Sequence, residues 1–113
     1  MASDDFVDVT TRGRISGQPH EIEIWYARAG DTLYLLSGGG GDADWVPNLR
    51  AEPAVGVRLD GIKHRGTGRV VEDPEEDAIA RRLVFEKYQP RYDGSLESWR
   101  ERALPVAIDL SSG

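Results

Sequence analysis

Apolar and polar residues alternate along most of this chain. Phe6 to Thr11 alternates and is rich in β-branched types, so a strand is expected there. His20 to Arg28 is the clearest strand, with Ile22, Ile24 and Tyr26 on one face and Glu21, Glu23 and Trp25 on the other. Thr32 to Ser37 is apolar on both faces, as suits a central strand buried on two sides. Ala54 to Leu59, Ile62 to Glu72 and Leu104 to Leu110 complete the set, with Asp60-Gly61 as a hairpin signal. Gly66 and Gly68 share one face of their strand, which suggests a bend, a bulge or a close approach.

The period changes to helical in three places. A short helix is expected from Trp45 to about Ala51, with Asp44 as its cap and Pro47 tolerated in its first turn. Asp73-Pro74-Glu75-Glu76 opens a second helix that runs to about Tyr88. Asp73 would cap it, Glu76 would complete a capping box, and Ile79, Leu83, Val84 and Tyr88 would form its buried stripe. Ser95 opens a third helix, through Arg102. Consecutive strands joined by tight turns imply a mostly antiparallel sheet. Six alternating strands closed on themselves make a small barrel with flanking helices, a mainly β (α+β) architecture in one domain over residues 1–113.

Composition narrows the possible chemistry. The 113 residues suffice for one small core, and dimerisation is a natural way to enlarge it. Trp25, Tyr34 and Phe85 lie off the simplest core faces and argue for a homodimer. A net charge of -6 disfavours nucleic acid as a partner. No apolar run is long enough for a transmembrane helix, and the absence of cysteine fits the cytoplasm. His20 and His64 lie in no metal-ligand spacing, so no metal is expected. No nucleophile–base–orienter trio stands out.

Two stretches invite a ligand. Arg12 and Arg14 straddle Gly13, with Ser16 and Gly17 adjacent, as a clamp for phosphate or carboxylate would be built; a solvated charged turn is the plainer alternative. Ser37-Gly38-Gly39-Gly40-Gly41 leads into the helix that carries Trp45 and Asn48. Loose amides, a helix N-terminus and an indole suit a flat polar ring, and a mobile surface loop is the alternative.

The run from Thr10 to His20, then Trp25-Tyr26, the Gly-Asp turn, the Ser-Gly-Gly segment and Trp45-Val46-Pro47-Asn48-Leu49-Arg50-Ala51-Glu52-Pro53 resemble the flavin/deazaflavin oxidoreductase superfamily, in its deazaflavin-dependent nitroreductase-like branch. That resemblance implies a split β-barrel, usually a homodimer, that binds coenzyme F420 or sometimes FMN. It assigns Arg12, Arg14, Ser16 and Gly17 to the cofactor's phosphate and acidic tail. It assigns Ser37 through Gly41, with Trp45 and Asn48, to the ring. Where the family commonly has a basic residue and an arginine, this chain has Ile15 and His20. The implied reaction is hydride transfer from the reduced cofactor to a quinone, enone or nitro compound. The cofactor supplies the hard chemistry, which accounts for the missing trio. Tyr88 and Tyr92 are candidate proton donors, with packing as the competing role for each. A non-catalytic module that binds a cofactor or a lipid-like molecule is the alternative function.

Overall fold

The computed structural model describes residues 6–38, 45–59 and 61–111. Seven strands form one antiparallel sheet: β1 (Val7–Arg12), β2 (Pro19–Ile24), β3 (Ala27–Ala29), β4 (Thr32–Ser37), β5 (Ala54–Leu59), β6 (Ile62–Val70) and β7 (Leu104–Leu110). Their order is β2-β1-β5-β6-β7-β4-β3. The helices are α1 (Trp45–Ala51), α2 (Pro74–Tyr88) and α3 (Glu97–Arg102), with a 3₁₀ turn at Gln89–Arg91.

The outermost strands, β2 and β3, are separated in the chain only by Trp25 and Tyr26. Two residues cannot span a flat sheet, so the sheet is rolled until its edges meet, as in a split barrel. The sequence pattern predicted one strand over His20–Arg28; instead it changes partner midway. Its first part pairs with β1 as far as Ile24, and its second pairs with β4 from Ala27. The count is therefore seven rather than six.

Each face of the sheet carries its own core. Inside the roll, Val9, Leu33, Leu35, Val57, Val106 and Ile108 pack around Val46 and Leu49 of α1. Gly68 makes this packing possible, because a Cβ there would collide with the Leu49 side chain. At Gly66 a Cβ would fall 2.6 Å from Cγ2 of Ile108. Both glycines thus mark a close approach within the protein itself. Outside the roll, Ala27, Tyr34, Leu36 and Ala107 pack against Ala80, Val84 and Tyr88 of α2. β4 feeds both cores and is buried on both sides, as its sequence predicts.

Asp73 caps α2 as expected, its Oδ2 accepting from the Glu76 N–H at 3.0 Å. Pro74 opens the helix and its first turn is acidic, also as expected, but the capping box is not formed. The Glu76 carboxylate reaches to the sheet, accepting from Arg69 Nη1 at 2.6 Å, from Arg69 Nη2 at 2.8 Å and from the Tyr34 hydroxyl at 2.9 Å. Arg69 also donates to Asp109, whose other partner is Thr32. The Arg69 guanidinium holds both carboxyls below their usual range. Burial, then the hydrogen bond to Glu76, pushes the Tyr34 phenol up. The buried stripe of α2 is Ala80–Val84–Tyr88, and Ile79 is 40% exposed rather than in the core. Anchoring by Glu76 sets that rotation about the helix axis.

Candidate functional site

The turn between β1 and β2 is self-tied. The Gly13 N–H donates to the Gln18 carbonyl at 2.7 Å, and the Gly17 N–H donates to the Gly13 carbonyl at 2.9 Å. Gly17 sits at φ 74, a conformation that favours glycine. The Ser16 Oγ accepts from the Gln18 N–H, and Arg12 Nη1 donates to the Gly17 carbonyl at 3.0 Å. Asn48 of α1, buried at 3% exposure, anchors the turn from below. Its Oδ1 accepts from the Arg14 N–H at 3.1 Å and from Arg14 Nη1 at 2.8 Å. A hollow of about 220 Å³ lies there, lined by Gly13, Arg14, Ile15, Ser16, His20 and Asn48. The hollow thus gathers Arg14, Ser16 and Asn48, residues the sequence singles out, and adds His20, which it does not assign; Arg12 lines a separate hollow with Thr10, Pro19 and Gly56. Guanidinium, hydroxyl and imidazole groups around a small hollow match a phosphate in chemistry and size.

A larger pocket of about 720 Å³ opens beside Gly38, the residue that follows β4. Its wall is aromatic. Trp25 stacks on Tyr88 with ring centroids 4.4 Å apart and planes 3° from parallel. Trp99 meets Trp25 edge-on at 5.6 Å, and Tyr92 does so at 6.1 Å. Leu36 and Leu96 supply apolar floor, while Ser95, Ser98 and Arg102 supply polar groups. A Cβ at Gly38 would lie 3.4 Å from Trp99 Nε1, so glycine keeps the mouth open beside the indole. A broad cavity with aromatic rings along one wall and polar groups among its lining has the character of a small-molecule site.

The two candidate tyrosines have different surroundings. Tyr88 is 3% exposed, and its hydroxyl accepts from the Tyr26 N–H and donates to the Tyr26 carbonyl. Tyr92 is 49% exposed on the pocket wall. Ser37 and Trp45 are buried, Trp45 in the inner core. Gly39, Gly40, Gly41 and the Asp44 cap lie outside the described residues, as does Asp60 of the hairpin signal. Sequence reasoning assigned no site role to Trp25, Leu96 and Trp99. Trp99 carried one usable signal: an indole on a six-residue helix otherwise made of polar residues.

The family model for F420H(2)-dependent quinone reductase matches residues 2–111. The chain belongs to that family. It is accordingly an oxidoreductase with a deazaflavin cofactor, and F420 takes precedence over FMN. An F420H(2)-dependent quinone reductase from Mycobacterium tuberculosis is 31% identical over 103 residues, covering 87% of this chain and 68% of the relative. Among solved structures, an F420-H2 dependent reductase superposes with a TM-score of 0.73 at 24% identity, covering 95% of this chain and 94% of the other. A FAD-binding protein from Mesorhizobium loti gives 0.72 at 16% identity, covering 98% and 82%. At those identities the structures establish the split-barrel fold. The family's reaction is hydride transfer from reduced F420 to a quinone.

Proposed function

We propose that the Arg12–Gly17 turn holds the phosphate and the first part of the acidic tail of F420, that Gly38, just after β4, lies along its ring, and that the aromatic pocket receives the quinone. The observation that carries this reading is Gly38, which directly follows β4 and opens into the aromatic pocket. One chain segment then borders both cofactor and acceptor. When bound, reduced F420 supplies the hydride. Arg12, Arg14 and Ser16 hold the anionic end, and Asn48 fixes the direction of Arg14. Trp25 and Trp99 orient a flat acceptor by stacking and exclude water from its face. A quinone that gains a hydride still needs a proton. Tyr92 Oη delivers it from the pocket wall, whereas the Tyr88 proton is engaged by the Tyr26 carbonyl.

The working unit in this reading is a cytoplasmic homodimer. A solved structure of the same fold, with a TM-score of 0.74 at 24% identity, is described as a domain-swapped dimer. Among the described residues no helix is long and apolar enough to cross a membrane.

The test is a parallel fluorescence titration with F420 and FMN, followed by rapid mixing of the reduced complex with a naphthoquinone. F420 should bind tighter, and the quinone should reoxidise it. Replacing Tyr92 by Phe should lower kcat and leave F420 affinity unchanged. Tighter FMN binding, or reduced F420 that no quinone reoxidises, would overturn the reading.

A further inference from the structure

The aromatic pocket is polar along α3, and the charge there has one sign. Ser98 and Arg102 are four residues apart on the helix, so they lie one turn apart on a single face. Ser95, just before the helix, lines the pocket with them. Trp99 is three residues from Arg102 and is therefore its neighbour, at roughly 5–6 Å between Cβ atoms. Arg102 is the one cation among the described residues that line the pocket. Other cations of this region are occupied. The Arg100 guanidinium lies 4.6 Å from the centroid of the Phe85 ring. Arg81 pairs with Asp77 and donates to the Arg100 and Glu101 carbonyls. Nothing among the described residues engages the Arg102 guanidinium or the Ser98 hydroxyl in this way. The Ser95 Oγ accepts from the Glu97 N–H at 3.2 Å and keeps its own proton to donate. The pocket's one acid among the described residues is Glu23, which stands on β2 and makes no ion pair with Arg102.

The geometry points to an acceptor that carries an acid: a flat ring held at Trp25 and Trp99, with a carboxylate or sulfonate bound by Arg102, Ser98 and Ser95. This inference rests on the reading of the pocket as the acceptor site and names the class of acceptor it takes. A guanidinium donates and never accepts, keeps its charge at any working pH, and matches an oxyanion with two parallel N–H donors. The Trp99–Arg102 spacing sets the acid directly on the ring or within one or two bonds of it. Glu23 repels the same group from the β2 wall. Attraction at α3 and repulsion at β2 together turn the acidic edge of the ring one way, so charge selects the orientation as well as the ligand.

The test is calorimetric titration of the full chain, loaded with oxidised F420, with naphthoate and with naphthamide, a neutral compound of the same shape. Neither accepts a hydride, so binding is read without turnover. Naphthoate should bind at least about fivefold tighter, a modest ratio because Arg102 is exposed. Arg102→Gln should bring the ratio of the two affinities to about one, and Arg102→Lys should keep part of it, as a point charge without the fork. Wild-type unfolding midpoints would show that both variants fold. In turnover, the KM for a naphthoquinone sulfonate relative to that for menadione should rise at least about fivefold in Arg102→Gln. Comparing that ratio between wild type and variant cancels the difference in redox potential between the two quinones. Equal affinity of the wild type for naphthoate and naphthamide, or a preference that survives Arg102→Gln, overturns the proposal. So does tighter binding of naphthylmethylammonium than of naphthoate, which would give the selection to Glu23. Menadione that reoxidises reduced F420 in a protein with no preference for naphthoate defeats this inference alone. A preference for naphthoate in a protein whose reduced F420 no quinone reoxidises defeats the acceptor reading instead.

Discussion

The Tyr88 hydroxyl engages both backbone polar groups of Tyr26, accepting from its N–H at 3.0 Å and donating to its carbonyl at 3.0 Å. Lys87 Nζ adds a second donor to that carbonyl at 2.8 Å and lies 3.6 Å from the centroid of the Tyr26 ring. Tyr26 sits where the rolled sheet changes partner, between the β1–β2 register and the β3–β4 register. A side chain from α2 takes the place of a neighbouring strand. The same Tyr88 ring supports Trp25, which links closure of the barrel to the shape of the aromatic pocket.

Replacing Tyr88 by Phe keeps that ring and removes the oxygen. The Tyr26 N–H would be left buried without its partner, and the carbonyl would retain Lys87. The expected loss is about 2 kcal/mol of stability, read as a lower urea midpoint. An unchanged midpoint would mean that water replaces the hydroxyl at no cost.

Much of this fold can be read from the sequence because its information is local. β4 is apolar on both faces and is buried on both. Asp73-Pro74 starts a helix and Asp73 caps it. Contacts between distant elements leave no such trace. Glu76 has the spacing of a capping-box residue, yet it bonds to Arg69 and Tyr34, which no periodicity connects to it. Ile79 looks like a core residue until that anchor fixes the rotation of α2. The candidate site divides in the same way. The Arg12–Gly17 turn is contiguous and was visible. The aromatic pocket is assembled from β4, the Trp25 corner, the loop after α2, and α3, so only the fold brings its residues together.

Gly68 offers a test of the inner core. A Cβ there would collide with Leu49, a buried residue in tight surroundings. Gly68→Ala should therefore destabilise by about 1–3 kcal/mol, despite the usual strand advantage of alanine over glycine. Leu49→Ala in the same chain should relieve the clash, making the double variant more stable than the sum of the single effects. Additive losses would argue that the backbone, not Leu49, forbids the side chain.

The Arg69 cluster predicts a pH dependence. Hydrogen bonds from Arg69 hold the Glu76 and Asp109 carboxyls below their usual range. A carboxyl with a lowered folded pKa binds its proton less readily in the native state. Its stabilisation is therefore complete above its ordinary value of about 4 and is lost as pH falls through the lower folded value. Arg69→Met should cost about 1–2 kcal/mol at neutral pH, a figure reduced for the partial exposure of the cluster. The difference from wild type should shrink in acid, where the carboxyls are protonated. Denaturation series at several pH values measure both, and a gap that does not narrow below pH of about 4 would remove these carboxyls as its source.

Arg14 and Asn48 should act as one unit in holding the cofactor. Asn48 Oδ1 accepts from both the Arg14 N–H and its Nη1, so it fixes the backbone and the guanidinium together. If the proposed site is right, Arg14→Ala removes a charge-assisted contact to the phosphate and should weaken F420 binding by about 1–2 kcal/mol, roughly a tenfold rise in Kd. Asn48→Ala leaves the charge in place but releases the turn, and a loss of similar size is expected because orientation, not charge alone, directs the donor fork. If the two act through one geometry, the double variant should bind little worse than either single one, with a coupling of about 1 kcal/mol. Arg12→Ala is the internal control. Its guanidinium bonds to the Gly17 carbonyl rather than to Asn48, so its effect should add to that of Asn48→Ala. Fluorescence titration of F420 against the five variants, the Arg12→Ala/Asn48→Ala double included, reads all of these. Additive losses for Arg14 and Asn48, or wild-type affinity in Asn48→Ala, would show that the buried amide serves packing alone.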